Sequence, residues 1–195
     1  MVALSFDDGP DLEFTPQILD ILKRENVKAT FFLLGKRSKM YPHIVQRIVA
    51  EGHSIGNHTW DHPILTKSTP QKIRAEIQKT DDVLFKIVGF HTYMFRPPYG
   101  EATTANVFQI TKMNYKVIDW SVDTRDWIAS SPDQILNIVN QTVKPGAIIL
   151  GHSAGPKQIQ HTVNSLPDMI RMLRAKNYKI VTIPELLNMK ALEYE

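Results

Sequence analysis

The chain alternates from end to end between short apolar runs and longer stretches with helical periodicity, and that alternation limits its fold more than any other feature. Residues 2–6, 28–34, 93–95, 116–120, 146–150 and 178–181 are rich in β-branched, aliphatic and aromatic side chains. Each stops at glycine, proline or a polar cluster, as buried strands do. Between them, Ile18, Leu19 and Leu22, then Ile44, Val45, Ile48 and Val49, then Ile73, Ile77, Leu84 and Ile87 recur on single helix faces. Thr15-Pro16, Thr69-Pro70 and Ser131-Pro132 each set a capping residue before a proline at the first helical position, and Pro42 and Pro184 open two more helices. Another helix is expected near residues 102–113, and the one through Ile170 and Leu173 should kink or restart at Pro167.

Strand and helix in strict turn, with no linker, low-complexity segment or repeat, predict one α/β domain over residues 1–195 with a largely parallel sheet. About seven βα units fit, short of the eight of a closed barrel. A doubly wound open sheet is the other arrangement, but no glycine-rich dinucleotide fingerprint follows the first strand.

The polar residues that need a reason gather at the C-terminal ends of the expected strands, where the βα loops of such folds build active sites. Asp7 and Asp8 follow the first strand, with side chains expected to point different ways because strand side chains alternate. His58 and His62 follow residues 53–57, Arg96 follows Phe95, Asp123 and Asp126 follow Trp120, and His152 follows Leu150. The i, i+4 spacing of His58 and His62 predicts two imidazoles on one face of a helical turn, able to share a metal. The chain has no cysteine, so any metal must be held by histidine and carboxylate. Two histidines and one aspartate suit an open, catalytic zinc site. They suit a non-haem iron centre as well, but an adjacent second carboxylate favours hydrolysis, where a base takes a proton from water.

Taken in order, Ser5-Phe6-Asp7-Asp8-Gly9, His58-Thr59-Trp60-Asp61-His62, Arg96-Pro97-Pro98-Tyr99-Gly100, Asp123-Thr124-Arg125-Asp126-Trp127 and Leu150-Gly151-His152 resemble the five motifs of the polysaccharide deacetylases, the NodB-homology domain of carbohydrate esterase family four. The resemblance implies a distorted, incomplete (β/α) barrel. It implies that Asp8, His58 and His62 hold a divalent cation, zinc most simply, with cobalt or another ion as the alternative. Asp7 would be the general base, oriented by Arg96, and His152 the general acid for the leaving amine, with Asp126 hydrogen-bonded behind it. Tyr99 would offer a backbone N–H to the oxyanion beside Pro98, and Trp127 and Leu150 would shape a pocket for the acetyl methyl.

The implied reaction removes N-acetyl groups from N-acetylglucosamine residues of peptidoglycan or chitin-like oligosaccharides. O-deacetylation of acetylated xylan is the nearest rival, and a catalytically weak carbohydrate-binding relative is the alternative from another class. An N-acetylated glycan is thus the expected partner, the chain is expected to be a monomer, and the family implies a secreted or cell-envelope location. The first strand begins at residue 2 with no segment leading into it, so the sequence is expected to be a trimmed one, and the lack of a signal peptide says little about location. A formal charge of +3 with scattered lysines and arginines gives no footing for nucleic-acid binding, and no apolar run reaches membrane-spanning length.

One departure stands out. The family most often has an acidic residue after the last motif histidine, where this chain has Ser153 inside Gly151-His152-Ser153-Ala154-Gly155. That stretch matches the G-x-S-x-G elbow of serine hydrolases. The elbow needs an acid and then a histidine downstream, whereas His161 precedes Asp168, so Ser153 is not expected to be a nucleophile.

Overall fold

The computed structural model describes residues 1–189. Its order is β1 (Val2–Asp7), α1 (Phe14–Arg24), β2 (Thr30–Leu33), α2 (Gly35–Met40), α3 (Pro42–Ala50), β3 (Ser54–Asn57), α4 (Pro70–Val88), β4 (Met94–Phe95), α5 (Thr104–Lys112), β5 (Lys116–Val117), β6 (Val122–Asp123), α6 (Pro132–Thr142), β7 (Ile148–His152), α7 (Ile159–Ala175), β8 (Ile180–Val181) and α8 (Ile183–Leu186). Seven strands run in the order β5-β4-β3-β2-β1-β7-β6, and β8 pairs with the first residues of β1. Every pairing among them is parallel, with helices between, as expected of an incomplete barrel.

Alternation along β1 sets what each face of the sheet carries. Val2, Leu4 and Phe6 point outward into the main core with Ile18, Leu22 and Ile170 from α1 and α7. Ala3 belongs to a small inner cluster with Phe32, Met94 and Ile118. Ser5 and Asp7, further along the same face, are buried but polar, so the barrel interior turns from apolar to charged towards the strand tips. Gly56 on β3 has no room for a side chain, because a Cβ there would lie 2.5 Å from the Phe32 ring.

A single strand was expected over residues 116–120. Instead, β5 and β6 are two-residue strands at opposite edges of the sheet, and residues 118–121 cross the open side of the barrel between them. Ile118 N–H donates to the Phe95 carbonyl (2.8 Å) at one edge, and Ser121 N–H to the Ile148 carbonyl (3.0 Å) at the other. A chain spanning the gap has no neighbouring strand, so its carbonyls need other donors. Arg96 supplies them, through Nε to Ile118 (3.3 Å) and Nη2 to Asp119 (3.4 Å).

Two helix boundaries also differ from expectation. Thr15 lies inside α1 and does not cap it; Asp11 Oδ1 accepts the N–H groups of Glu13, Phe14 and Thr15 at 2.8–3.1 Å. Thr15 Oγ1 instead donates to the Ser153 carbonyl (2.7 Å). Helix α7 continues through Pro167 without a break, its Leu166, Met169, Ile170 and Leu173 all buried. Packing of that face outweighs the one backbone donor that proline removes. Thr69 and Ser131 cap α4 and α6 as expected.

Candidate active site and metal centre

The C-terminal ends of β1, β3, β4, β6 and β7 and the loops after them surround a cleft of about 440 Å³. Asp7 is the last residue of β1 and continues the inward series, 3% exposed. Strand alternation would send Asp8 to the other face. Its φ of 69° ends the strand in the left-handed region and swings its carboxylate into the same cleft, so the two side chains converge.

His58 and His62 also converge, but by another route than the helical turn their spacing predicts. Residues 58–62 form an irregular loop with Thr59 at φ 73° and His62 at φ 65°. The imidazoles lie edge to face with centroids 5.0 Å apart. Thr59 N–H donates to Asn57 Oδ1 (2.9 Å), and His62 N–H to Thr59 Oγ1 (3.1 Å), so side chains replace the backbone bonds that a helix would have made.

Asp8 Oδ1 sits 3.5 Å from His58 Nε2 and 3.4 Å from His62 Nε2, and these three ligand atoms all lie within 4.8 Å of one another. Asp8 Oδ1 is buried with no hydrogen-bond partner among the described residues. An anionic oxygen left so is costly unless a cation offsets it. His58 Nδ1 lies 2.7 Å from the Arg96 carbonyl, which can only accept, so Nδ1 carries the proton and Nε2 turns its lone pair to the cleft. Burial, and then the neighbouring His58, hold the His62 pKa below the usual histidine value, which keeps it a neutral donor. A divalent cation with nitrogen and oxygen ligands fits this triangle.

Two ion pairs flank it. Arg96, fully buried, donates from Nη1 to Asp7 Oδ1 (2.8 Å) and to Ser5 Oγ (2.9 Å), with its guanidinium carbon 4.1 Å from the Phe32 ring centroid. On the other pair, His152 Nδ1 lies 2.7 Å from Asp126 Oδ1, while Asp126 Oδ2 accepts from His152 N–H (2.7 Å) and Thr162 Oγ1 (2.6 Å). Burial works against charge on His152, but Asp126 outweighs it with its own charge and hydrogen bond, and the imidazole pKa stands at about 9. Burial likewise acts against ionised Asp126, yet His152 and the hydrogen bonds hold its pKa below the usual value.

Tyr99, Trp127, Leu150 and Asp123 line the cleft, with Tyr99 edge-on to His62 (4.5 Å between centroids) and Trp127 edge-on to His152 (5.5 Å). Tyr99 takes a left-handed φ of 61° at the turn after Pro98. Pro98 itself is buried and is not part of the cleft lining. Ser153 is fully buried; its N–H (2.9 Å) and Oγ (3.3 Å) both donate to the Asp7 carbonyl. A hydroxyl so enclosed is not placed to attack a substrate, so the elbow motif does not build an elbow here. Trp120, Pro156 and Ile159 also line the cleft and had no site role in the sequence reading. Only the position of Trp120 at the end of an expected strand hinted at it.

The sequence profile of the family described as polysaccharide deacetylase matches residues 1–118. A peptidoglycan-N-acetylglucosamine deacetylase of Bacillus cereus is 47% identical over 185 residues, covering 95% of this chain and 67% of that protein. Peptidoglycan-N-acetylglucosamine deacetylase PgdA of Listeria monocytogenes is 40% identical over 189 residues, which is 97% of this chain but only 39% of the relative's length. Among solved structures, that of the Bc1960 peptidoglycan N-acetylglucosamine deacetylase superposes with a TM-score of 0.94 at 46% identity, over 97% of this chain and 88% of the other. With this barrel and these matches, the chain belongs to the polysaccharide deacetylase family.

Proposed function

We propose that this chain is a metal-dependent hydrolase that removes N-acetyl groups from N-acetylglucosamine residues of peptidoglycan or a chitin-like glycan, and that residues 1–195 act as one catalytic domain. The observation that carries this reading is the orphaned Asp8 oxygen facing two imidazoles, with a buried Arg–Asp pair and a buried Asp–His pair opening on the same cleft. A divalent cation held by Asp8, His58 and His62, zinc in this proposal, would supply Lewis acidity for the acetyl oxygen and for water.

The remaining roles fall to the chain's own groups. Asp7, held by Arg96, takes a proton from the attacking water; the ion pair and Ser5 fix which carboxylate oxygen stays free. His152 keeps Nδ1–H on Asp126 and presents protonated Nε2 to the leaving nitrogen, and a pKa of about 9 keeps it charged at neutral pH. Amide nitrogen is a poor leaving group without that proton. The Tyr99 backbone N–H polarises the acetyl oxygen, and Trp127 and Leu150 bound the space for its methyl.

An acetylated glycan of the bacterial cell envelope is the partner this reading assigns, and the envelope is the location it assigns. No helix among the described residues is long and apolar enough to cross a membrane. Acetate release should be measured side by side on N-acetylglucosamine oligomers, peptidoglycan and acetylated xylan, with and without a chelator. N-acetylated substrates should be turned over and the chelator should stop it. Turnover that persists after complete metal removal, or confined to xylan, would overturn the proposal.

A further inference from the structure

The loop that carries both imidazole ligands is held from outside the site. Glu76, half-buried on α4, accepts the N–H groups of Trp60 (2.9 Å) and Asp61 (3.2 Å) through one oxygen, Oε2. These are two of the three residues between His58 and His62. The next turn of the same helix adds a second contact, Lys79 Nζ standing 3.8 Å from the Trp60 ring centroid. From the other side, Gly35 and Lys36 donate their N–H groups to the Thr59 and Trp60 carbonyls (2.9 and 3.0 Å). The loop needs such restraint, because Thr59 and His62 both sit in the left-handed region that non-glycine residues disfavour, and left alone it would relax away from this shape.

We propose that Glu76 is a positioning residue for the metal centre: by accepting the Trp60 and Asp61 N–H groups it fixes the distance between the His58 and His62 imidazoles and so sets the affinity of the cation site. It acts by reach, as a two-bond acceptor, and its charge is secondary. Partners outside the ligand set that hold metal ligands in place are typically worth about 10–100-fold in affinity. The inference rests on the metal-ligand reading above.

Zinc affinity of the full chain, read by competition with a chromophoric chelator, tests it alongside thermal melting of the metal-free protein. Glu76→Ala should bind zinc about 10-fold or more weakly. Glu76→Asp keeps the charge but is a methylene too short to meet both N–H groups, and should weaken similarly. Glu76→Gln loses the charge but keeps a carbonyl acceptor, and should stay within roughly threefold of the parent. Should the alanine variant fail to fold, the Asp and Gln pair still decides. The inference is overturned if Glu76→Ala binds zinc as the parent does, if Asp matches the parent while Gln weakens, or if only the metal-free melting point moves. A parent chain that binds no zinc at all would instead overturn the ligand assignment.

Discussion

Asp7 is buried against Arg96, while Asp8 is about a quarter exposed and, among the described residues, pairs with the two imidazoles. Neighbours in sequence, they differ in surroundings and should fail differently. Asp7→Asn should keep its metal and lose turnover by roughly 10²-fold, the scale of a positioned base. Asp8→Asn should lose the metal by elemental analysis; equal metal loss in both variants would make both carboxylates ligands. His152 and Asp126 give a second contrast, in pH. The His152 pKa is raised from 6.5 to about 9, so its stabilising charge is fully present below 6.5 and is lost as pH rises through 9. The Asp126 pKa is lowered from 3.8, so its part is present above that value and lost as pH falls below it. The pair therefore stabilises the fold most between these limits. Asp126→Asn should bring the His152 titration, followed by NMR, well below 9, and the alkaline limb of activity should move down with it.

At the scale of elements, β1 and β7 meet at their tips through Ser153, which binds the Asp7 carbonyl and takes the Thr15 hydroxyl from α1. Gly9 closes the same junction, where a Cβ would stand 2.4 Å from Ser153 Oγ and 3.6 Å from Ser153 Cβ. Gly9→Ala should therefore destabilise by about 1–3 kcal/mol through overpacking. Ser153→Ala should leave deacetylation within about tenfold, since removing one weak hydrogen bond costs about 0.5–1.5 kcal/mol and the hydroxyl is no nucleophile. Combined, the two substitutions should cost less than their sum, because losing Oγ removes the closest clash. Denaturant melts of the four proteins close the cycle, and strict additivity would mean that the two residues do not share this space.

Across the whole molecule, the ends of five strands, β1, β3, β4, β6 and β7, deliver the ligands and both ion pairs from separate parts of the chain, so the site exists only in the folded state. A cation that binds there and not to the unfolded chain stabilises by mass action, about 4 kcal/mol at a thousandfold excess over Kd. Chelation should lower the melting temperature of the parent protein and leave that of His58→Ala where it was. An equal shift in both would place the stabilising metal elsewhere. Arg96 ties this scale together. One buried guanidinium pairs Asp7, binds Ser5 and takes the carbonyls of residues 118–119 that span the open side of the barrel.

The alternation of apolar runs and helical stripes determined the α/β class and the parallel sheet, because burial on both faces and the period of a helix are written in local sequence. The same local logic placed Asp7, His58, Arg96, Asp126 and His152 at strand ends. What local periodicity could not supply was decided by tertiary structure. Strand alternation put Asp8 on the wrong face, and helical spacing gave the wrong loop for His58 and His62, because left-handed backbone at Asp8, Thr59 and His62 is stable only with partners from distant elements. The crossing at residues 118–121 reads as one strand in sequence, and only the position of both sheet edges shows it to be a bridge. Thr15 reads as a cap, and Ser153 sits in a motif that resembles an elbow, for the same reason: each motif describes its neighbours in the chain, while each hydroxyl donates to a carbonyl more than a hundred positions away.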